Sequence, residues 1–389
     1  MIDRTLFNTD HEAFRDSFRR FVEKEITPLH DSWEDQGYVD REVWRAAGAN
    51  GFLCMTMPEE YGGAGADRLY SVAQMEEIAR AGVSGIGFGL HSEIVAPYVL
   101  HYGTEAQKKH YLPLLATGEM VGAIAMSEPA AGSDLQGVKT TAIKSADGSH
   151  YVLNGSKTFI TNGWHADLVI VVAKTDPAAG AKGTSLFLVE RGMEGFSKGK
   201  RLKKLGMKAQ DTSELFFEGV RVPAANLLGP EHGGFKLLMK NLAQERLTQA
   251  VRSAAATEAM LQWTIDHALQ RKMFGQTLAD FQNTQFKLAE MKTEVTIGRV
   301  FTDHCIRQFL DRTLDGTDAA MAKLWLSELH GRVADQCLQL FGGWGYMWEY
   351  PIARAYADAR ITRIAGGSIE VMKQIIGRSL LAEAQRKAR

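Results

Sequence analysis

Ala125-Met126-Ser127-Glu128-Pro129-Ala130-Ala131-Gly132-Ser133-Asp134 begins apolar, turns at Glu-Pro, and then runs through three residues with almost no side chain. Pro129 fixes its own φ and keeps Glu128 out of helix. Ala130, Ala131 and Gly132 leave the backbone bare, so a flat ligand can lie against it. Ser127, Ser133 and Asp134 set hydroxyl and carboxylate groups beside that surface. A Gly/Pro cluster is also the ordinary mark of a turn between strands, so the segments around it have to decide between the two.

Downstream the pattern is β. Tyr151-Val152-Leu153, Asn154-Gly155 and Lys157-Thr158-Phe159-Ile160-Thr161 spell a hairpin with an Asn-Gly turn. Leu168 to Ala173, Ser185 to Val189 and Glu214 to Phe217 are further apolar, strand-like runs. Residues 120–229 are therefore expected to form a β domain, with the opening stretch at one edge.

Upstream, residues 1–119 are helical in pattern. Phe14, Phe18, Phe21 and Val22 recur at helical spacing, and Thr27-Pro28 is expected to end that helix. Pro58 to Gly65 is a loop. Helices are expected over Leu69–Ala81 and His91–Tyr102, and Thr104 is placed to cap another that carries Leu112, Leu114 and Leu115. His91, His101 and His110 fit ordinary exposed polar helix positions.

From residue 230 to 389 the helical period returns. One helix spans Phe235 to about Lys272 without a proline, and Gly275 stands where it would stop. Others span about Phe281–Leu310 and Asp318–Leu340. A Gly-rich aromatic loop, Phe341 to Tyr346, follows, and a last helix begins after Gly366-Gly367. The sum is a mostly α chain: a helical domain, a β-barrel-like domain and a helical bundle.

Composition excludes several classes. The 389 residues carry a net charge of -1 with 45% hydrophobic and 23% charged residues, so no basic surface for nucleic acid stands out. No apolar run approaches the ~18 residues of a membrane span. Cys54, Cys305 and Cys337 form no C-x-x-C or zinc pattern, which suits a reducing compartment and no metal site. The acidic Asp10, Glu12 and Asp16 argue against a transit peptide, so a cytoplasmic location is expected. There is no G-x-G-x-x-G after a strand, no Walker A, no H-E-x-x-H and no G-x-S-x-G.

Four segments remain: Met126 to Asp134, Lys157 to Asn162, Arg271-Lys272-Met273-Phe274-Gly275, and Gln339-Leu340-Phe341-Gly342-Gly343-Trp344-Gly345. In this order, across helical, β and helical regions, they resemble the acyl-CoA dehydrogenase family over nearly the whole chain. The resemblance implies FAD between the β domain, the bundle and a neighbouring subunit, in a homotetramer. Ile124, Met126, Ser127 and Ser133 would line the flavin ring. Phe159, where many relatives have Trp, would cover its other flank with Ile160 and Thr161. Arg271, Phe274, Gln282, Gln339, Gly342 and Gly343 would hold the pyrophosphate and adenosine of the dimer mate's FAD, where an Arg fork suits phosphate. Ser368 and Glu370 would stand near FAD. Ser133, Arg246, Gly366, Gly367 and Arg378 would meet the acyl-CoA. On pattern alone, Arg271 is a solvated helix end, Phe274 a core residue and the Gly-Gly a helix stop.

Many relatives carry the catalytic base just before the last helix, in a Tyr-Glu-Gly type sequence. Here that site is Ala365-Gly366-Gly367-Ser368, with no carboxylate. The long-chain and isovaleryl branch instead places the base on the long bundle helix. This chain has Gln244-Glu245-Arg246 there, and Trp348-Glu349-Tyr350-Pro351 is also most like the long-chain branch. The base is therefore assigned to Glu245, with Glu370 as competitor. On pattern alone Glu245 is a solvated helix residue.

The implied activity is α,β-dehydrogenation of an acyl-CoA, long-chain or branched, with an electron-transferring flavoprotein as acceptor. A flavin monooxygenase of the same fold, or a non-catalytic acyl-CoA-binding protein, would share most of these residues.

Overall fold

A computed structural model describes residues 3–388. α1 (Thr9–Phe21) starts behind Asn8, whose side-chain oxygen accepts from the N–H groups of Asp10 and His11. It passes into a π turn at Val22–Ile26 and a 3-10 turn at Thr27–Leu29, then continues as α2 (His30–Gln36). Pro28 therefore does not end the helical path. It sits in the first turn of the 3-10 segment, where its missing N–H leaves no bond unmade. α3 (Arg41–Ala49) and α4 (Arg68–Ala81) follow. The short α5 (Phe88–Leu90) leads through a π turn at His91–Val95 into α6 (Ala96–Tyr102). α7 (Glu105–Ala116) is capped by Thr104 in a capping box with Gln107, as its sequence predicts.

His101 and His110 are exposed, as expected, but His91 is fully buried. Its Nε2 donates to the Leu115 carbonyl (2.9 Å) and its Nδ1 accepts from the Gly122 N–H (3.0 Å). Burial pushes its pKa down to about 4, so it bridges α7 and the first strand as a neutral ring.

The strands are β1 (Gly122–Ala125), β2 (Thr141–Lys144), β3 (His150–Thr161), β4 (Leu168–Lys174), β5 (Thr184–Glu190), β6 (Phe196–Arg201), β7 (Thr212–Pro223) and β8 (Leu227–Leu228). They form one sheet in the order β6-β7-β3-β2-β4-β5-β8, with β1 also on β4. β4 explains its unbroken apolar sequence. Leu168, Ile170 and Val172 face the helices, while Val169, Val171 and Ala173 face a second core. β1, β3, β5 and β7 all send side chains into that second core, so the sheet curls around it in a barrel-like form.

Asn154-Gly155 is not the expected hairpin turn, because β3 runs through it. Gly155 lies at a register shift against β7, and a Cβ there would come within 2.5 Å of Thr140 Oγ1. The tight turn lies earlier, between β2 and β3, where Ser145 and Gly148 bond. Asn-Gly here serves a bulge and a close approach, a use that local sequence does not distinguish from a turn.

The C-terminal helices are α8 (Gly234–Gln270), α9 (Gln282–Leu310), α10 (Gly316–Phe341), α11 (Pro351–Ala359) and α12 (Ile369–Lys387). Leu247, Val251, Val295, Ile306, Leu326 and Val333 join α8, α9 and α10 in one core, and α12 lies along α10. Gly275 is not the stop of α8. Between α8 and α9, Phe274 (φ 50°) and Gly275 (φ 81°) make the two-residue turn joining β9 (Lys272–Met273) to β10 (Gln276–Thr277). Both are left-handed, as a type I′ turn requires.

A buried ion cluster ties the two helical regions together. Glu76 on α4, only 3% exposed, meets Arg4 (3.0 Å), Arg15 (3.0 Å) and Arg299 of α9 (2.9 Å). Burial opposes its charge, but the three guanidiniums outweigh that and hold its pKa at about 2. The folded value lies below the ordinary 4.5, so this stabilisation is complete above pH 4.5 and is lost as pH falls towards 2. We expect Glu76→Gln to lower unfolding free energy at pH 7 by about 3–5 kcal/mol, because three cations lose their shared partner. Urea denaturation checks this. The deficit should shrink at pH 3, and equal midpoints at pH 7 would refute it.

Candidate active site

β1 and β2 lie along the same edge of β4. Gly122 to Ala125 pair in parallel with Leu168 to Val171, and Thr141 pairs with Lys174. The chain between them leaves the sheet as a loop, and this loop holds the Ser-Glu-Pro stretch. Glu128 and Ala131 close it with reciprocal backbone bonds of 2.8 and 3.1 Å. Ala130, Gly132, Ser133 and Asp134 are exposed, so the bare backbone does face outward.

The loop is held down by a lysine that sequence reasoning passed over. Lys157 on β3 is 1% exposed; its Nζ donates to Glu128 Oε1 (2.8 Å) and to the Met126 carbonyl (3.1 Å). Glu128 also accepts from Thr140 Oγ1 (2.6 Å) and from the Thr140 and Lys139 N–H groups. Burial opposes both charges. Lys157 falls to about 8, whereas its cation and the N–H donors still hold Glu128 below the usual carboxylate range. Thr158 N–H donates to the Ser127 carbonyl at 3.0 Å, which fixes Phe159 to Thr161 beside Met126 and Ser127.

Next to that bond, Thr158 and Phe159 bulge out opposite Glu214 of β7. Phe159 has φ +59° and is 69% exposed. A left-handed aromatic on the surface is strained and leaves apolar area wet, a combination found at ligand sites. Ile124 is buried in the core shared with the helices and Ile160 in the core inside the sheet.

On α8, Gln244 donates to the Glu93 carbonyl (2.9 Å), and Thr248, one turn on, accepts from buried Arg68 (2.8 Å). These contacts fix the roll of the helix. Glu245 is half-buried, crowded by protein on most sides, and its Oε1 lies 3.3 Å from Tyr98 Oη. Burial pushes its pKa up to about 7 against the smaller opposing pull of Tyr98 and Arg246. Gln249 stands one turn beyond, and a Cβ on Gly366 would lie 3.4 Å from its Cγ, so the Gly366 turn rests on the face that carries Glu245. Gly366 and Gly367 have φ +68° and +92°, and a Cβ on Gly367 would meet Met372 at 2.7 Å. Buried Lys323 of α10 donates to the Gly367 carbonyl.

Glu370 differs in every respect. It is exposed, and its own N–H and Ser368 hold its pKa down at the start of α12. Ser368 caps that helix, its Oγ accepting from the Val371 N–H (3.4 Å). Arg246 is buried and its Nε has no partner among the described residues, whereas Arg378 is exposed on α12.

Arg271, Phe274, Gln282, Gln339, Gly342 and Gly343 are all exposed where α8 ends, α9 begins and α10 ends. Phe274 is 91% exposed, so it is not a core residue. His267 stacks on Phe341 at 4.1 Å and joins the ends of α8 and α10. Two open grooves of about 500 and 610 Å³ lie along α9 and include none of the candidate residues. His30, Asp31 and Glu34 come close together, but Arg354 and Trp348 bond the acids and His30 bonds the Ser84 carbonyl, which makes them an ion-paired cluster.

Acyl-CoA dehydrogenase N-terminal, middle and C-terminal domain families match residues 8–119, 123–220 and 232–381. The chain belongs to the acyl-CoA dehydrogenase family and is an acyl-CoA dehydrogenase enzyme. It is 52% identical over 383 residues to the rat mitochondrial long-chain specific acyl-CoA dehydrogenase, covering 98% of this chain and 89% of the relative. A solved acyl-CoA dehydrogenase from Geobacillus kaustophilus superposes with a TM-score of 0.95 at 48% identity, over 97% of this chain and 100% of the other. Another from Bacillus anthracis, complexed with FAD, superposes at 0.90 and 33% identity, over 100% of this chain and 71% of the other.

The Lys157–Glu128 pair can be tested without any ligand. Lys157→Met leaves a buried carboxylate without its cation, and we expect a loss of about 3 kcal/mol in stability. Amide exchange at Thr140 and Thr158 should accelerate beyond what global unfolding explains. Unchanged exchange at both would show that the loop is held by other means.

Proposed function

We propose that this chain is an FAD-dependent dehydrogenase of long-chain or branched acyl-CoA thioesters, with Glu245 as catalytic base. The observation that carries the proposal is the contrast between the two carboxylates. Glu245 is brought to about 7 by burial on the face that meets Gly366, while Glu370 is exposed and held low. A base tuned near working pH removes an α-proton more effectively than an ordinary carboxylate.

The residues fit a flavin. The exposed loop backbone, pinned against strained Phe159, offers a flat apolar flank with N–H groups and Ser127 beside it. Ile124, Met126 and Ser133 would complete that flank, Ile160 and Thr161 would join Phe159 in covering the flavin's other flank, and Ser368 and Glu370 would stand near the FAD. Arg271, Phe274, Gln282, Gln339, Gly342 and Gly343 would hold the pyrophosphate and adenosine of a partner's FAD in a homotetramer; their joint exposure at one bundle end supports this. Bound FAD supplies the hydride acceptor. The Gly366 N–H would hold the thioester carbonyl and stabilise the developing enolate. Glu245 then takes the α-proton as the β-hydrogen departs as hydride, and the product is a trans-2-enoyl-CoA. Ser133, Arg246, Gly367 and Arg378 would contact the acyl-CoA.

Ala365, Gly366 and Gly367 place little bulk at the turn, which supports a long or branched chain. Each further buried CH₂ adds up to ~0.8 kcal/mol while the pocket lasts. We further propose an electron-transferring flavoprotein as acceptor, in line with the family, and a cytoplasmic setting, which three free, buried cysteines suit. No helix among the described residues is long and apolar enough to cross a membrane.

Anaerobic titration of the FAD-loaded protein with acyl-CoAs of rising length tests the proposal. Flavin bleaching should occur, with kcat/KM rising beyond butyryl-CoA. A steady fall from butyryl-CoA would refute the long-chain assignment, and no bleaching with any ester would favour a non-catalytic binder. Oxygen-dependent hydroxylated product would favour a monooxygenase.

The base has its own test. Glu245→Gln should keep bound FAD and acyl-CoA but slow bleaching by about 10² or more. Glu370→Gln should leave bleaching fast. The reverse pattern would move the base to Glu370.

A further inference from the structure

α6 and α8 face each other with matched spacing. Tyr98 and Tyr102 stand four residues apart on α6, as do Asn241 and Glu245 on α8, so each pair shares a helix face. Tyr98 Oη lies 3.3 Å from Glu245 Oε1, and Asn241 Nδ2 lies 3.1 Å from Tyr102 Oη. The two rings meet edge to face at 5.8 Å. Tyr98 is 1% exposed, so its hydroxyl has little access to water. An ionised carboxylate only accepts, which makes the phenol the donor. Among the described residues, no other side chain hydrogen-bonds to Glu245.

We propose that Tyr98 is a positioning residue for the base: its O–H holds the Glu245 carboxylate in one orientation and favours the ionised form. This rests on Glu245 being the base. Burial, reinforced by Glu245, pushes the Tyr98 pKa far up, so the phenol remains a donor throughout the working range.

The other charges packed on α8 leave Tyr98 this role. Arg246, the next residue, pulls weakly in the same direction. Arg68 of α4 is paired with Glu93, and Arg299 of α9 with Glu76 and Glu258. Lys323 of α10 bonds the Gly367 carbonyl.

The test is the pH dependence of kcat/KM for flavin reduction in FAD-loaded protein, which reports the free enzyme's base. In Tyr98→Phe the carboxylate loses its donor, so the acid limb should move up by about one pH unit. The rate below the limb should fall about tenfold, and the alkaline plateau should stay near wild type. Replacing Tyr98 with 3-fluorotyrosine, a stronger donor of nearly the same shape, should move the limb down; this serves as well if the Phe variant folds poorly. Tyr102→Phe should leave the limb in place. A limb unmoved by both Tyr98 replacements, or a loss equal at every pH, overturns the inference. Glu245→Gln separates the two claims. If it abolishes reduction while Tyr98 replacements leave the limb unmoved, only the Tyr98 role fails. If it reduces normally, the assignment of the base itself fails.

Discussion

The buried contact between Lys157 and Glu128 is the constraint on which the site geometry depends. One ammonium on β3 reaches both the carboxylate and a carbonyl of the loop that leaves β1. Without it, the loop would keep its own turn bonds, the Lys139 and Thr140 donors to Glu128 and the Thr158–Ser127 bond, but Glu128 would have no cation. With it, loop and bulged strand become one rigid piece, and Phe159 can be held at a φ it would not choose. A buried ion pair is weak evidence for net stability. Its contribution here is geometric, since two segments far apart in sequence are set at one spacing.

The two glutamates illustrate how environment outranks residue type. Glu245 and Glu370 share a side chain and an ordinary pKa, yet helix packing drives one up and a helix N-terminus holds the other down. The sequence pattern that placed a carboxylate at 245 carries none of this information. The upward push comes from burial against elements distant in sequence, while Tyr98 of α6, more than a hundred residues upstream, pulls the other way.

What was legible in the sequence followed from local rules or from the family likeness. The Thr104 cap, the long helix without proline and the apolar run of β4 need only periodicity and side-chain chemistry. The misread positions share a cause. Pro28, Asn154-Gly155 and Gly275 are punctuation marks with several meanings, and tertiary packing selects among them. Pro28 starts a 3-10 turn, Gly155 makes room for Thr140, and Gly275 turns a small hairpin instead of ending α8. His91 was read as exposed, and the roles of Lys157 and Tyr98 were passed over, because their partners lie on other elements and no spacing rule signals them. Phe159 was assigned to the flavin's flank through the family likeness, but its bulge and positive φ are visible only in the folded chain.

The arginine cluster around Glu76 bears on how the molecule comes apart. Its cations come from residues 4, 15 and 299, so no contiguous piece of chain contains the whole cluster. Peeling the bundle from the first helices would strand a buried carboxylate short of a cation and leave Arg299 with Glu258 and Asp303 of the bundle. Partly unfolded forms with one helical region intact are thereby raised in energy, and the two regions are coupled into a single cooperative unit. Proteases that sample local openings would find fewer of them along this seam than the chain's length alone suggests.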